Sequence, residues 1–302
     1  MQEKYFRLQR EDASRNGQNV ENFFDYFNDG RNASDIEFSP LGAKHWTKKR
    51  FLAKANAVSK TLFYAADTKG ALPDIVAFAE LENGLVLRRL LSETALRKTE
   101  YRIVHYNSED HRGIDVGLIY NASALELVAS APLEIPVDST RDILLAQFIT
   151  RERDSLAVLV NHFPSKLGAT GKDDGRMTAA ERLLEICDSL DNAGWKRILA
   201  LGDFNEQPDE DACALLGNRL CNLALNTRPL EGTIKFNGHW ELIDQAFVTG
   251  PLVDSSSFEI LKIPFLLEKD SSHSGLKPRR TYIGPRYNAG ISDHLPVCVI
   301  LR

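Results

Sequence analysis

The run Ile198-Leu199-Ala200-Leu201 followed by Gly202-Asp203-Phe204-Asn205 constrains this chain more than any other stretch. Four consecutive apolar residues between Trp195-Lys196-Arg197 and Gly202 read as a strand buried on both faces, the kind found in the middle of α/β sheets. The carboxyl ends of such strands are where ligands bind, because loops there project side chains without disturbing the core. Asp203 and Asn205 stand at that end. Two residues apart, they point the same way if the strand continues, which suits a metal-bound water or a phosphate oxygen. An Asx-type turn that closes the strand accounts for the same pair.

Other apolar runs end similarly. Ile75 to Ala79 leads to Glu80, Leu156 to Val160 leads to Asn161-His162, and Val297 to Leu301 is preceded by Ser292-Asp293-His294. Leu242 to Val248 reads as a strand with Asp244 at its centre. From Tyr101 to Thr150 the strand-like runs follow one another without helices, which implies antiparallel neighbours and mixed sheets. Two helices stand out between these runs. Thr47 is a plausible N-cap for one with Phe51, Ala55, Val58 and Leu62 on a stripe and the basic residues, Lys54 included, mostly elsewhere. Asp174 or Gly175 opens the other, with Ala180, Leu183, Cys187 and Leu190 at helical spacing and Gly194 as its stop. Tyr5 to Leu8 is a candidate first strand, and the polar stretch Gln9 to Gln18 reads as a loop.

A length of 302 residues exceeds the usual domain, yet a two-sheet α/β fold uses that length as one domain, here expected over residues 1–302. A net charge of -5 argues against holding nucleic acid by bulk electrostatics. It does not exclude a nuclease whose carboxylates are offset by metal ions. Cys187, Cys213, Cys221 and Cys298 lack CxxC spacing, so neither a zinc site nor a disulfide framework is expected. No run is long enough for a transmembrane helix and the first residues lack a signal-peptide core, so the chain reads as cytoplasmic, or as secreted and given without its leader. The sequence leaves oligomeric state open.

Taken together and in order, Pro73-Asp74-Ile75-Val76 leading to Glu80, Val160-Asn161-His162-Phe163-Pro164-Ser165, Gly202-Asp203-Phe204-Asn205, Ile243-Asp244 and Ser292-Asp293-His294-Leu295-Pro296 resemble the endonuclease/exonuclease/phosphatase superfamily, the DNase I-like metal-dependent phosphoesterases. The resemblance runs across almost the whole chain. It implies a four-layer α/β sandwich, two mixed sheets packed face to face with helices on the outer faces. It also implies roles: Glu80 as principal Mg²⁺ ligand with Asp293 second, hard oxygens of the kind Mg²⁺ prefers, with Mn²⁺ as a substitute. Asp203 would orient or deprotonate the attacking water, and Asn205 would hold that water or a phosphate oxygen. His294, steadied by Asp244, would contact the scissile phosphate, and His162 would neutralise charge or protonate the leaving oxygen. Asn19 resembles the family's amide at the end of the first strand, placed with the metal site. Two departures stand out: Ala79 where the family commonly has Gln, and the polar Gln9 to Gln18 where it has an apolar strand.

The implied activity is Mg²⁺-dependent phosphoester hydrolysis, first of all as a phosphodiesterase or nuclease with nucleic acid a possible partner. The alternative substrates are inositol phosphates or phospholipid headgroups, and a third reading is a catalytically weakened binding module. Arg176 and Lys166 are candidates to reach a substrate phosphate, and Arg112 either approaches the site or serves a turn. Substrate choice is expected to rest on the loops Lys166 to Gly175 and Leu266 to Tyr287.

Overall fold

A computed structural model describes residues 13–30, 32–166, 174–226 and 231–301. The candidate strand Tyr5 to Leu8, and most of the loop between Lys166 and Gly175, lie outside these residues. Twelve strands form two six-stranded mixed sheets. The strands are β1 (Ala13–Phe23), β2 (Ile75–Leu81), β3 (Tyr101–His105), β4 (Asp115–Asn121), β5 (Leu125–Leu133), β6 (Ile143–Thr150), β7 (Ser155–His162), β8 (Ile198–Asp203), β9 (Cys221–Asn222), β10 (Asp244–Val248), β11 (Ser256–Ile260) and β12 (Val297–Leu301). One sheet has the order β11-β12-β1-β2-β4-β3, the other β5-β6-β7-β8-β10-β9. In each, one central pair is parallel, β1 with β2 and β7 with β8.

Three apolar clusters separate four layers. Ile75, Ala77, Leu118 and Tyr120 of one sheet meet Val158, Val160, Leu199 and Leu201 of the other in the middle. Helix α1 (Lys48–Lys69) covers the outer face of the first sheet, laying Phe51, Ala55, Val58 and Leu62 on Val76 and Phe78. Helix α2 (Asp174–Asn192) covers the second, with Ala180, Leu183, Cys187 and Leu190 against Ala157, Leu159, Ile198 and Ala200. Central strands covered on both faces cannot show alternation, which is why they appear in the sequence as unbroken apolar runs. Thr47 caps α1 through its side chain, as its position suggested. All four cysteines are free thiols.

Of the polar stretch Gln9 to Gln18, residues 9–12 lie outside the described residues and the remainder is not a loop. Residues 13–18 are strand, flanked by β12 and β2 in the middle of the first sheet. Arg15, Asn16 and Gln18 are buried, and the Arg15 guanidinium meets Asp74 at 3.3 Å. Backbone pairing on both sides outweighs the poor strand propensity of these side chains, a tertiary override that propensity cannot reveal. Among the described residues no helix is long and apolar enough to cross a membrane.

Candidate active site

The site lies where the carboxyl ends of the central strands of both sheets meet. The parallel register sets His162 beside Asp203, and the antiparallel register sets Asp244 opposite Asp203 on the other side. Asp244 therefore opens its strand instead of sitting at its centre; since β10 runs against β8, its first residue reaches the edge where β8 ends. Gly202 is fixed by this crowding: its φ is +141° and an added Cβ would lie 2.0 Å from the Asn161 carbonyl oxygen. The segment before β12 brings in Asp293 and His294, and a backbone hydrogen bond from Leu295 to the Thr233 carbonyl ties it to the hairpin over residues 234–241.

Asp203 is the hub. Its Oδ2 accepts from the Asn19 amide at 3.0 Å, and its Oδ1 from the Asn205 N–H at 2.9 Å. Oδ2 also lies 3.8 Å from Nε2 of His162 and 3.9 Å from Nε2 of His294. These gaps are too long for direct hydrogen bonds and suit a small oxygen species between the groups. His294 is anchored from behind by Asp244, Nδ1 to Oδ2 at 2.7 Å. Asp203, Asp244 and His294 each offer a ligand atom within 4.8 Å of the others. With Nδ1 committed to Asp244, however, the group has the form of a carboxylate–imidazole relay, in which the acid fixes tautomer and orientation.

Electrostatics set the imidazoles apart. Burial, then Arg141 and Arg112, hold His162 well below its ordinary value. Burial also opposes charge on His294, but Asp244, Asp203 and Asp293 outweigh it and hold the imidazolium well above its ordinary value. Burial, with Asp244 adding to it, pushes Asp203 up to about 7 against the opposing pull of His294. One neutral and one cationic imidazole around a carboxyl group near neutrality is the separation that acid–base chemistry uses.

Glu80 reaches the site through a β-bulge. Its φ is +65°, and the register of β2 against β4 shifts between Ala79 and Leu81. A non-glycine residue there is strained, as happens where a bulge re-aims a functional side chain. The Glu80 Oε2 accepts from the Asn22 N–H at 2.7 Å, and Oε1 lies 4.0 Å from His162 Nε2. Asp293 Oδ1 is 4.0 Å from His294 Nε2, while its Oδ2 accepts from Arg280 at 2.8 Å. Asn19, placed by its sequence with the metal group, has its Oδ1 engaged by the Glu21 N–H at 2.8 Å and its Nδ2 by Asp203. Asn205 does not continue the strand: it turns at φ +51°, its N–H returns to Asp203, and its side chain donates to the Phe163 carbonyl at 2.8 Å. The turn and the site are one structure.

Several contributors escaped the sequence. Lys54 on α1 is buried, not solvated, and donates to the Glu21 carbonyl at 2.6 Å and to Thr281 Oγ1 at 2.8 Å. The Glu21 carboxylate is buried, receives Arg280 Nε at 3.0 Å and the Thr281 N–H at 2.7 Å, and is pushed up to about 7 by burial and by Asp293. Arg141 donates to the Phe163 carbonyl and to Asp110, both at 3.0 Å. Arg112 stands beside the same Asp110, its Nε 3.8 Å away. Arg112, whose sequence left open an approach to the site or a turn, thus stands near it; no motif spacing signals Glu21, Lys54 or Arg141, which only long-range packing brings here. Conversely, Arg176 does not reach toward substrate but is buried against Glu206 at 2.7 Å, and Lys166 pairs with Glu210. The His105 side chain, 7% exposed, pairs with Asp115 at 3.1 Å, and His239 lies in the hairpin over residues 234–241.

Comparison with curated proteins by sequence gives no match. Solved structures share the fold. A mannosyl-6-phosphatase from Bacteroides thetaiotaomicron superimposes with a TM-score of 0.63 at 14% identity, over 96% of this chain and 99% of that one. Danio rerio TDP2 complexed with a single-strand DNA product gives 0.58 at 14% identity, over 97% and 99%. The human nocturnin catalytic domain with bound sulfate gives 0.58 at 15% identity, over 96% and 94%. A family model described as the Endonuclease/Exonuclease/phosphatase family matches residues 16–302. The chain, with its four-layer sandwich and polar strand ends, belongs to the endonuclease/exonuclease/phosphatase family and is a phosphoester-hydrolysing enzyme.

Proposed function

We propose that the chain works as one domain and is a Mg²⁺-dependent phosphoester hydrolase that cleaves by in-line attack of a water activated at Asp203. The observation that carries this reading is the arrangement of Asp203 between His162 and His294, with gaps of 3.8 and 3.9 Å. The donor set around it fits Mg²⁺: Glu80 and Asp293 offer hard carboxylate oxygens, with Mn²⁺ a substitute. Asn19 would join only by sharing the oxygen that already accepts from Glu21. A bound ion supplies charge neutralisation at the phosphoryl oxygens.

The rest is done by the chain's own groups. Asp203, up to about 7, takes a proton from the attacking water near neutral pH. His294, cationic and fixed by Asp244, donates to a phosphoryl or leaving oxygen, and neutral His162 hydrogen-bonds another. Asn205, held by Phe163, orients the water or a phosphate oxygen.

Two substrate classes follow from the fold's relatives. A phosphodiesterase or nuclease reading accords with the DNA product bound to TDP2, and a phosphatase reading with the mannosyl-6-phosphatase. A specific observation favours phosphorylated small molecules, inositol phosphates or headgroups among them. A cleft of about 240 Å³ lined by Asn22, Lys44 and Arg280 adjoins the proposed metal ligands, and the net charge is -5. The test is hydrolysis of p-nitrophenyl phosphate, bis-p-nitrophenyl phosphate and plasmid DNA with Mg²⁺, Mn²⁺ or EDTA, beside His294→Ala and Asp203→Asn. Metal-independent turnover, or unchanged rates in both variants, sinks the mechanism; inertness of the wild type toward every substrate supports the binding-module reading instead.

A further inference from the structure

The cleft beside the acidic site is joined to it through bonds. Asn22, on its wall, donates its N–H to Glu80, and Arg280, also on its wall, donates to Asp293. Whatever fills the cleft is therefore adjacent to a phosphate bound at the ion that those carboxylates would hold. At about 240 Å³ it is smaller than the pockets that take drug-sized ligands, roughly 300–1,000 Å³, and matches a single ring.

Its chemistry is that of donors. Glu21 contributes little free acceptor capacity, because Arg280 Nε and the Thr281 N–H each take one of its oxygens. Arg280 commits Nε and Nη2 to Glu21 and Asp293, which leaves Nη1, and its side chain is 45% exposed. Lys44 has its ammonium 3.3 Å from Glu37 and 3.5 Å from the Gly284 carbonyl, and a half-exposed ion pair of this sort is weak and readily exchanged for a better partner. The Asn22 side chain is half-buried on the same wall. Phe38 and Tyr282 also line it but are only 7% and 6% exposed, with Lys44 lying against both rings. No free aromatic face is offered for stacking a nucleobase, the usual platform for single-stranded nucleic acid.

We propose that this cleft selects the substrate, and that it takes a phosphorylated polyol ring bearing a second anionic group, which Lys44 and Arg280 recognise. The proposal rests on the hydrolase reading above and adds the substrate's chemistry to it. Sugars and cyclitols share that chemistry.

The test uses the full chain with Mg²⁺ and compares glucose 1,6-bisphosphate, myo-inositol 1,4-bisphosphate, glucose 6-phosphate, p-nitrophenyl phosphate and a thymidine dinucleotide. Lys44→Met is the variant, since Lys44 lies outside the catalytic group, and its melting temperature reports folding. A bisphosphate is expected to exceed glucose 6-phosphate in kcat/KM by about 10-fold or more; which bisphosphate does so separates sugar from cyclitol. Lys44→Met should erase that preference through KM and leave p-nitrophenyl phosphate unchanged. A second readout is calorimetric binding of each bisphosphate to Asp203→Asn and to Asp203→Asn/Lys44→Met, with a loss of about 10-fold expected in the double variant. Binding with that loss, but no turnover by the wild type, supports the cleft and defeats the hydrolase reading. Turnover of p-nitrophenyl phosphate without a bisphosphate preference, preference for the dinucleotide, an equal effect of Lys44→Met on every substrate, or no detectable bisphosphate binding overturns the proposal.

Discussion

Replacing Asp244 with Asn separates charge from shape at the relay. The amide can still accept from His294 Nδ1, so the ring keeps its orientation, but the nearest of three carboxylates that hold His294 protonated is gone. Burial, which opposes the imidazolium, then weighs more heavily, and the population of the cationic form at neutral pH falls. A hydrogen bond to a charged group is worth about 1.5–3 kcal/mol, which corresponds to a drop of roughly 10- to 150-fold in kcat/KM. Stability should change far less, because two effects oppose each other. His294 has a folded value raised above its unfolded one, so its pairing stabilises fully below the unfolded value and is lost as pH rises through the folded one. Asp244→Asn removes part of that contribution at acid to neutral pH. The same substitution relieves Asp203, directly opposite across the ladder, of a repulsion that helps push it to about 7. The assay is a pH–rate profile of kcat/KM from pH 5.5 to 8.5 with a thermal melt at each pH. Wild-type kcat/KM across the range, or a loss that merely tracks the folded fraction, refutes the relay.

Three further outcomes are expected. Asp203→Asn should abolish turnover yet stabilise the metal-free protein at pH 8 by about 1 kcal/mol, near 2 °C in Tm for a chain of this size. The sign follows from a carboxyl raised from 3.8 to about 7, which favours folding below its unfolded value and loses that advantage as pH rises through 7; at pH 4 the gain should vanish. Adding Mg²⁺ at 100 times its Kd should raise stability by about 2.7 kcal/mol. EDTA should remove both this gain and the activity, and Glu80→Gln should lack the gain, as differential scanning fluorimetry would read. Arg176→Met leaves the Glu206 carboxylate buried without its cation and should cost about 3–5 kcal/mol in chemical denaturation. The kcat/KM of the folded fraction should be unaltered, whereas a selective rise in KM would restore Arg176 to the substrate.

Much of the fold was legible because its central strands are covered on both sides. Ile75 to Ala79, Leu156 to Val160 and Ile198 to Leu201 had to be apolar at every position, and both long helices carry stripes that pack on them. The strand over residues 13–18 was illegible for the opposite reason: its stability comes from backbone pairing with β2 and β12, which leaves no mark in side-chain pattern. Asp244 was placed in the middle of its strand because the apolar run includes Leu242 and Ile243, which are buried without belonging to the ladder.

The sequence by itself determined which chemical groups accompany the apolar runs: Glu80, His162, Asp203, Asn205, Asp293 and His294 could be named because chain-local pattern sets polar residues at the edges of such runs, and Asp244 because it interrupts one. Tertiary structure alone decided what they do to one another. The registers of β7, β8 and β10 bring an imidazole and a second carboxylate to Asp203, a bulge aims Glu80, and burial with nearby arginines keeps His162 neutral while three carboxylates outweigh burial and keep His294 cationic. It also brought Glu21, Lys54 and Arg280 together across 259 residues of sequence. Contact between such distant residues depends on the packing of whole layers, and no local pattern encodes it.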